Sequence, residues 1–100
     1  MPVAMLDDRI IGQICEILSQ HLNVSEAVLF GSRAKGTAKP GSDIDIAVYG
    51  IRDAIQAQTI ADDLDELPTP YQFDVVAGDA IKTASLREHI KRVGIKIYPK

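Results

Sequence analysis

Three short apolar runs limit this chain more than any other feature: Ala27 to Phe30, Ile44 to Tyr49 and Tyr71 to Ala77. Each reads as a buried strand bounded by turn residues. Stripes of helical period lie around them. Leu6, Ile10, Ile14, Leu18 and Leu22, widened by Ile11 and Ile17, predict an amphipathic helix from about Leu6 to Leu22, with Asp7 and Asp8 in its first turn. Ala57, Ile60, Ala61, Leu64 and Leu67 predict a second helix over about Asp53 to Leu67, stopped by Pro68 and Pro70. A third follows, with Ser85-Leu86-Arg87-Glu88 as a capping box, Leu86, Ile90 and Val93 as its buried edge, and Gly94 as a left-handed cap. Ile95 to Tyr98 predicts a last edge strand. The order α-β-α-β-α-β describes a layered α/β (α+β) domain, a small sheet flanked by helices.

Chemistry concentrates between the first two strands. Gly31-Ser32 is followed by ten residues and then Asp43-Ile44-Asp45. Gly31 permits a sharp turn and close approach of backbone to a ligand. The amides after it would open a short helix, whose N-terminus suits an anion, and the Ser32 hydroxyl can add a hydrogen bond to a phosphate oxygen. Arg33, Lys35 and Lys39 stand nearby as candidate phosphate or partner contacts. The pattern is not that of a P-loop, which needs Gly-x-x-x-x-Gly-Lys-Ser/Thr.

Asp43 and Asp45 stand at i and i+2, so they project from one face of a strand, roughly 6.5–7 Å apart at Cα. Ile44 should face the core between them. Two unneutralised carboxylates in an apolar strand cost several kcal/mol, about the penalty of burying charges without partners. Mg²⁺ offsets that cost, since it takes hard carboxylate oxygens together with phosphate and water. Asp74, the one acid in Tyr71 to Ala77, is the natural third ligand if the third strand neighbours the second. Two metals about 3.5–4 Å apart would then stabilise both the attacking and the leaving oxygen. Asp74 could instead act as general base toward an acceptor hydroxyl.

Gly-Ser, ten residues, Asp-x-Asp and a later strand acid together resemble the nucleotidyltransferase superfamily that includes DNA polymerase β. More narrowly, Gly31-Ser32-Arg33-Ala34-Lys35-Gly36 with Ser42-Asp43-Ile44-Asp45-Ile46 is similar to the minimal nucleotidyltransferases. The resemblance covers Val28 to Ala77 and, less specifically, Val93 to Tyr98. It departs at Lys35, where many relatives have Arg. It implies a nucleotidyltransferase fold, one domain over residues 1–100, and ATP with Mg²⁺ at Asp43, Asp45 and Asp74. Gly31, Ser32 and Arg33 would hold the nucleotide. It further implies an antitoxin of a toxin–antitoxin module that transfers AMP to a tyrosine hydroxyl of a HEPN-domain partner, inactivating an RNase. Two other readings stay open: a non-catalytic antitoxin that occludes its partner, and transfer to a small-molecule hydroxyl.

Composition sets the outer bounds. With 100 residues, 46% hydrophobic and 25% charged, the chain suits a single folded core. A net charge of −3 argues against a dedicated nucleic-acid binder. That charge is uneven, because residues 53–79 carry seven acids and no Lys or Arg, whereas residues 80–100 carry six basic side chains against Glu88. Cys15 lies among Ile11, Ile14 and Leu18, as a buried small hydrophobe does, and the lone cysteine fits a cytoplasmic protein. No apolar run reaches the roughly 20 residues that span a bilayer, and no basic segment leads into an apolar stretch as in a secretory signal. His21 and His89 have no Cys or His at zinc-ligand spacing. Asp62, Asp63, Asp65 and Glu66 read as a solvated helix face. So small a chain cannot enclose two substrates, and a partner or second copy is expected to complete the acceptor side.

Overall fold

The computed structural model describes residues 6–36 and 43–99, so Lys39 lies outside the described residues. Along them run α1 (Asp8–Ser19), β1 (Glu26–Phe30), α2 (Ser32–Lys35), β2 (Ile44–Tyr49), α3 (Ala54–Asp65), β3 (Phe73–Ala77), a 3₁₀ turn (Gly78–Ala80), α4 (Ala84–Val93) and β4 (Ile95–Tyr98). The four strands form one mixed sheet in the order β3-β2-β1-β4. β1 is antiparallel to both β2 and β4, while β2 and β3 are parallel. No described helix is long and apolar enough to cross a membrane.

The alternation along each strand gives the sheet two different faces. Ala27, Leu29, Ile44, Ile46, Val48 and Phe73 point to one, where Ile14 and Leu18 of α1 and Ala57, Ile60 and Leu64 of α3 close over them. Full burial of each such Leu or Ile is worth roughly 1.5–3 kcal/mol, so this face supplies most of the stability. Val28, Phe30 and Ala47 point to the other face, where Ile90 of α4 covers them. Cys15 is buried, and its thiol donates to the Ile97 carbonyl at 3.0 Å.

Side-chain caps fix the starts of α1 and α3. Asp7 is the N-cap of α1, its side chain accepting from the Arg9 amide at 2.8 Å. Asp53 caps α3 by accepting from the Gln56 amide at 3.0 Å, and Gln56 Oε1 in return accepts from the Arg52 amide at 2.7 Å.

Three local expectations are corrected. The first helix stops at Ser19, where bonds from Gln20 to Ile17 and from His21 to Leu18 tighten the last turn. The chain must then reverse into β1, which throws Leu22 off the stripe and leaves it 94% exposed. The Ser85–Glu88 capping box does not form. α4 begins one residue before Ser85, at Ala84, with Thr83 as N-cap and no side-chain bond closing it. Gly94 is extended (φ −63°, ψ 142°) rather than left-handed. Its small size is used otherwise, since a Cβ there would overlap the Ile90 carbonyl and crowd Val28 of β1.

Candidate active site

β1 and β2 meet at one end of the sheet, and the turn that leaves β1 lies against the start of β2. Gly31 has φ +75°, a conformation that disfavours side chains, and a Cβ on it would overlap Asp45 Oδ2. Glycine is therefore required twice over at this position. The Gly31 carbonyl accepts from the amides of Ala34 at 3.2 Å and Lys35 at 3.0 Å, which winds residues 32–35 into the short α2. Gly36, at φ +81°, closes it and returns its N–H to the Ser32 carbonyl.

Arg33 points inward. It is 6% exposed, with its guanidinium carbon 4.5 Å from the centre of the Tyr71 ring. Tyr71 leads into β3, so this stacking ties the Gly-Ser turn to the strand that carries Asp74. Lys35 is exposed.

The carboxylates share the face opposite the core. Asp45 lies between Phe30 of β1 and Asp74 of β3 in the strand register. Asp43 precedes β2 by one residue, and Ile44 between the two aspartates is fully buried in the core. Asp43 and Asp74 are exposed, whereas Asp45 is half-buried. Burial pushes the Asp45 carboxyl above its ordinary 3.8, the negative charges of Asp74 and Asp43 push it the same way, and His89 opposes them. Asp43 and Asp74 thus both act on Asp45 through space.

The donor set suits a hard cation. Mg²⁺ is held by one or two carboxylates, with water and phosphate completing its shell, so a closed cage is not needed. Among the described residues no three His, Cys, Asp or Glu side chains form such a cage. The fit rests on like charges crowded into one register position of two parallel strands, the arrangement that a divalent ion relieves.

Two further residues were not legible in the sequence. His89 of α4 sets its ring edge-on to Phe30, with centroids 6.2 Å apart at 81°, and its charge reaches Asp45. Only the crossing of α4 over β1 brings it there. Tyr49 packs against Gly78, where a Cβ would overlap its ring, and its phenol is pushed up by burial and then by Glu26 and Asp79. Tyr49 lines a cavity of about 840 Å³ together with Glu26, Arg87, Lys91 and Lys96. Tyr49 stands four residues along β2 from Asp45, roughly 13 Å away, and none of the three acids lines that cavity. Asp63, read as part of a wet helix face, pairs with His21 Nε2 at 2.7 Å and fastens α3 to the end of α1. Asp79 accepts from the Gly50 amide at 2.9 Å, a loop fastening away from the acids.

The fold is shared with known structures. No curated protein sequence matches the chain. Among solved structures, a toxin–antitoxin with AMP-PNP superposes with a TM-score of 0.76 at 25% identity, over 90% of this chain and 73% of that one. A chain of the MntA–HepT toxin–antitoxin gives 0.71 at 21% identity, over 94% and 74%. A complex of a tri-AMPylated Shewanella oneidensis HEPN toxin with its MNT antitoxin gives 0.72 at 20%, over 95% and 74%. The model of the polymerase beta nucleotidyltransferase family matches residues 12–100. The chain is a member of that family, with its sheet, its Gly-Ser turn and its strand acids in one continuous unit.

Proposed function

We propose that this protein is a Mg²⁺-dependent nucleotidyltransferase that moves AMP from ATP to a tyrosine hydroxyl of a HEPN-type toxin and so inactivates an RNase. The observation that carries the reading is the register of Asp45 beside Asp74, with Asp43 next to them, on the open face of the sheet. The toxin–antitoxin complexes among the similar structures, one with AMP-PNP and one with a tri-AMPylated toxin, support the nucleotide and the kind of partner. The unit is residues 1–100 as one minimal nucleotidyltransferase domain, working in the cytoplasm as part of a hetero-oligomer and without a dedicated nucleic-acid surface.

Asp43, Asp45 and Asp74 are the catalytic carboxylates and would hold two Mg²⁺ ions. When bound, these ions supply charge neutralisation at the α-phosphate and at the leaving pyrophosphate. Gly31 and Ser32 hold the triphosphate tail against the end of β1. Arg33, buried beneath them on Tyr71, fixes the turn and adds positive charge behind it. Asp74, on the exposed strand, takes the proton from the acceptor hydroxyl. The hydroxyl oxygen bonds to the α-phosphorus, the bond from that phosphorus to the bridging oxygen breaks, and pyrophosphate leaves with the electron pair.

Radiolabelled ATP, Mg²⁺ and the co-purifying partner test the reading. Label on the partner, lost with Asp43→Asn plus Asp45→Asn, is the expected result. The second reading is occlusion without catalysis. It wins if the double variant still protects cells and no label reaches the partner.

A further inference from the structure

β3 is an edge strand, so its outer side has no strand partner among the described residues. The Ile44 amide donates to the Gln72 carbonyl at 2.9 Å. By alternation in a parallel ladder, Gln72, Asp74 and Val76 turn their backbone groups toward β2, while Phe73, Val75 and Ala77 turn theirs outward. None of the turn and loop hydrogen bonds among the described residues ends on these three. A cavity of about 320 Å³ runs beside Val75 and Ala77, lined also by Val76, Ala54, Ala57 and Ile81 among others, with no charged side chain. Consecutive strand residues point to opposite faces, so a cavity touching three in a row lies on the edge itself. Both α3 and β3 fall within residues 53–79, which hold seven acids and no Lys or Arg.

We propose that the acceptor polypeptide binds as an added extended strand on the open edge of β3, which sets its hydroxyl side chain beside Asp74. The inference rests on the proposed nucleotidyl transfer and names how its acceptor is held. Strand addition takes its affinity from main-chain bonds and its selectivity from pockets for alternate side chains. A residue paired beside Asp74 points to the face of the acids. Its neighbours in the added strand point to the α3 side, where the uncharged cavity receives an apolar side chain. The acidic surroundings select a segment with basic flanks. The occupant is therefore an extended loop or tail with a hydroxyl residue next to an apolar one and Lys or Arg at its ends.

The probe is a capped synthetic peptide of roughly six residues, the length of an average strand, with a central tyrosine between valines and a lysine at each end. Added without ATP to isotope-labelled protein, it should shift the amides of Phe73, Val75 and Ala77 and slow their hydrogen exchange. Val75→Pro removes an outward N–H without breaking the ladder to β2, as proline on an edge can. Ala54→Arg sets at the exposed rim of the cavity a charge that repels the peptide's lysines, and serves if Val75→Pro does not fold. Val75→Pro should weaken peptide binding about tenfold, the worth of one lost hydrogen bond of roughly 1.4 kcal/mol, and the Ala54 variant should weaken it by repulsion, with ATP binding unchanged in both. Shifts that avoid the edge, or variants that bind the peptide as wild type does, overturn the proposal. Edge binding without AMP ever reaching the tyrosine in the presence of ATP and Mg²⁺ leaves the docking edge standing and removes the nucleotidyl-transfer reading instead.

Discussion

The two faces of the sheet are built from the same strands and do opposite work. On the α1 and α3 side, Leu29, Ile44, Ile46 and Val48 are closed off completely, and nothing polar interrupts them. On the other side a single helix, α4, covers Val28, Phe30 and Ala47, and then the apolar surface gives way to Asp45 and Asp74. A strand's period of two lets each residue pair serve stability and chemistry separately. Ile44 and Ile46 anchor the strand on one side so that Asp43 and Asp45 can be held in repulsion on the other.

Substitutions on the two faces should differ accordingly. Ile46→Ala removes a fully buried side chain and should cost about 2–5 kcal/mol. Val76→Ala, half-buried on the opposite face, should cost about 1 kcal/mol or less. Chemical denaturation of both variants measures the contrast, and equal losses would mean that the site face carries as much of the fold as the core. The carboxylates invert the pattern. Asp43→Asn or Asp45→Asn should lower nucleotidyl transfer by more than the roughly 100-fold seen when an outer partner of a metal ligand is lost, while the unfolding midpoint does not fall.

Arg33 joins the two regimes, since its guanidinium is buried in the manner of the core yet lies under the Gly-Ser turn. Arg33→Ala should cost about 2 kcal/mol, the scale of a desolvated cation–π contact. Arg33→Lys should recover little of it, because an ammonium does not stack as a planar guanidinium does. Unfolding curves of the two variants check this, and full recovery with lysine would show that charge alone holds the turn.

What could be read beforehand follows the range of the forces involved. β2 was legible to its ends, because Ile44 to Tyr49 is a local pattern of apolar residues and the Gly-Ser spacing fixed what precedes it. The helices were legible in kind but long by a turn at Leu22, where the reversal into β1 overrode the periodicity. The Ser85–Glu88 box looked sound locally and lost to a start at Ala84, with Thr83, two residues before Ser85, as N-cap. Gly94 was read as a conformational glycine, but its role depends on the approach of α4 to Val28, which no window of sequence contains. The same holds for His89 over Phe30 and for His21 with Asp63. Asp74 was picked out by its place in an apolar run. That it sits beside Asp45 required the strand order, and strand order is a property of the whole chain.

The smallest contrast lies within Asp45 itself. Its carboxyl is raised above 3.8 in the folded protein, first by burial and then by Asp74 and Asp43. A raised acid means that the folded state holds its proton more tightly than the unfolded chain does. The stabilising contribution is therefore full below about pH 3.8 and is lost as pH rises through the folded value. Asp45→Asn is uncharged throughout, so without divalent ions it should melt at the same temperature as wild type at low pH. It should melt modestly higher near neutrality, with the gap opening above pH 3.8 and then levelling. Added Mg²⁺ should narrow the gap by stabilising wild type alone. A gap that is constant across pH would place the penalty in shape rather than charge, and the two faces would then differ in packing only.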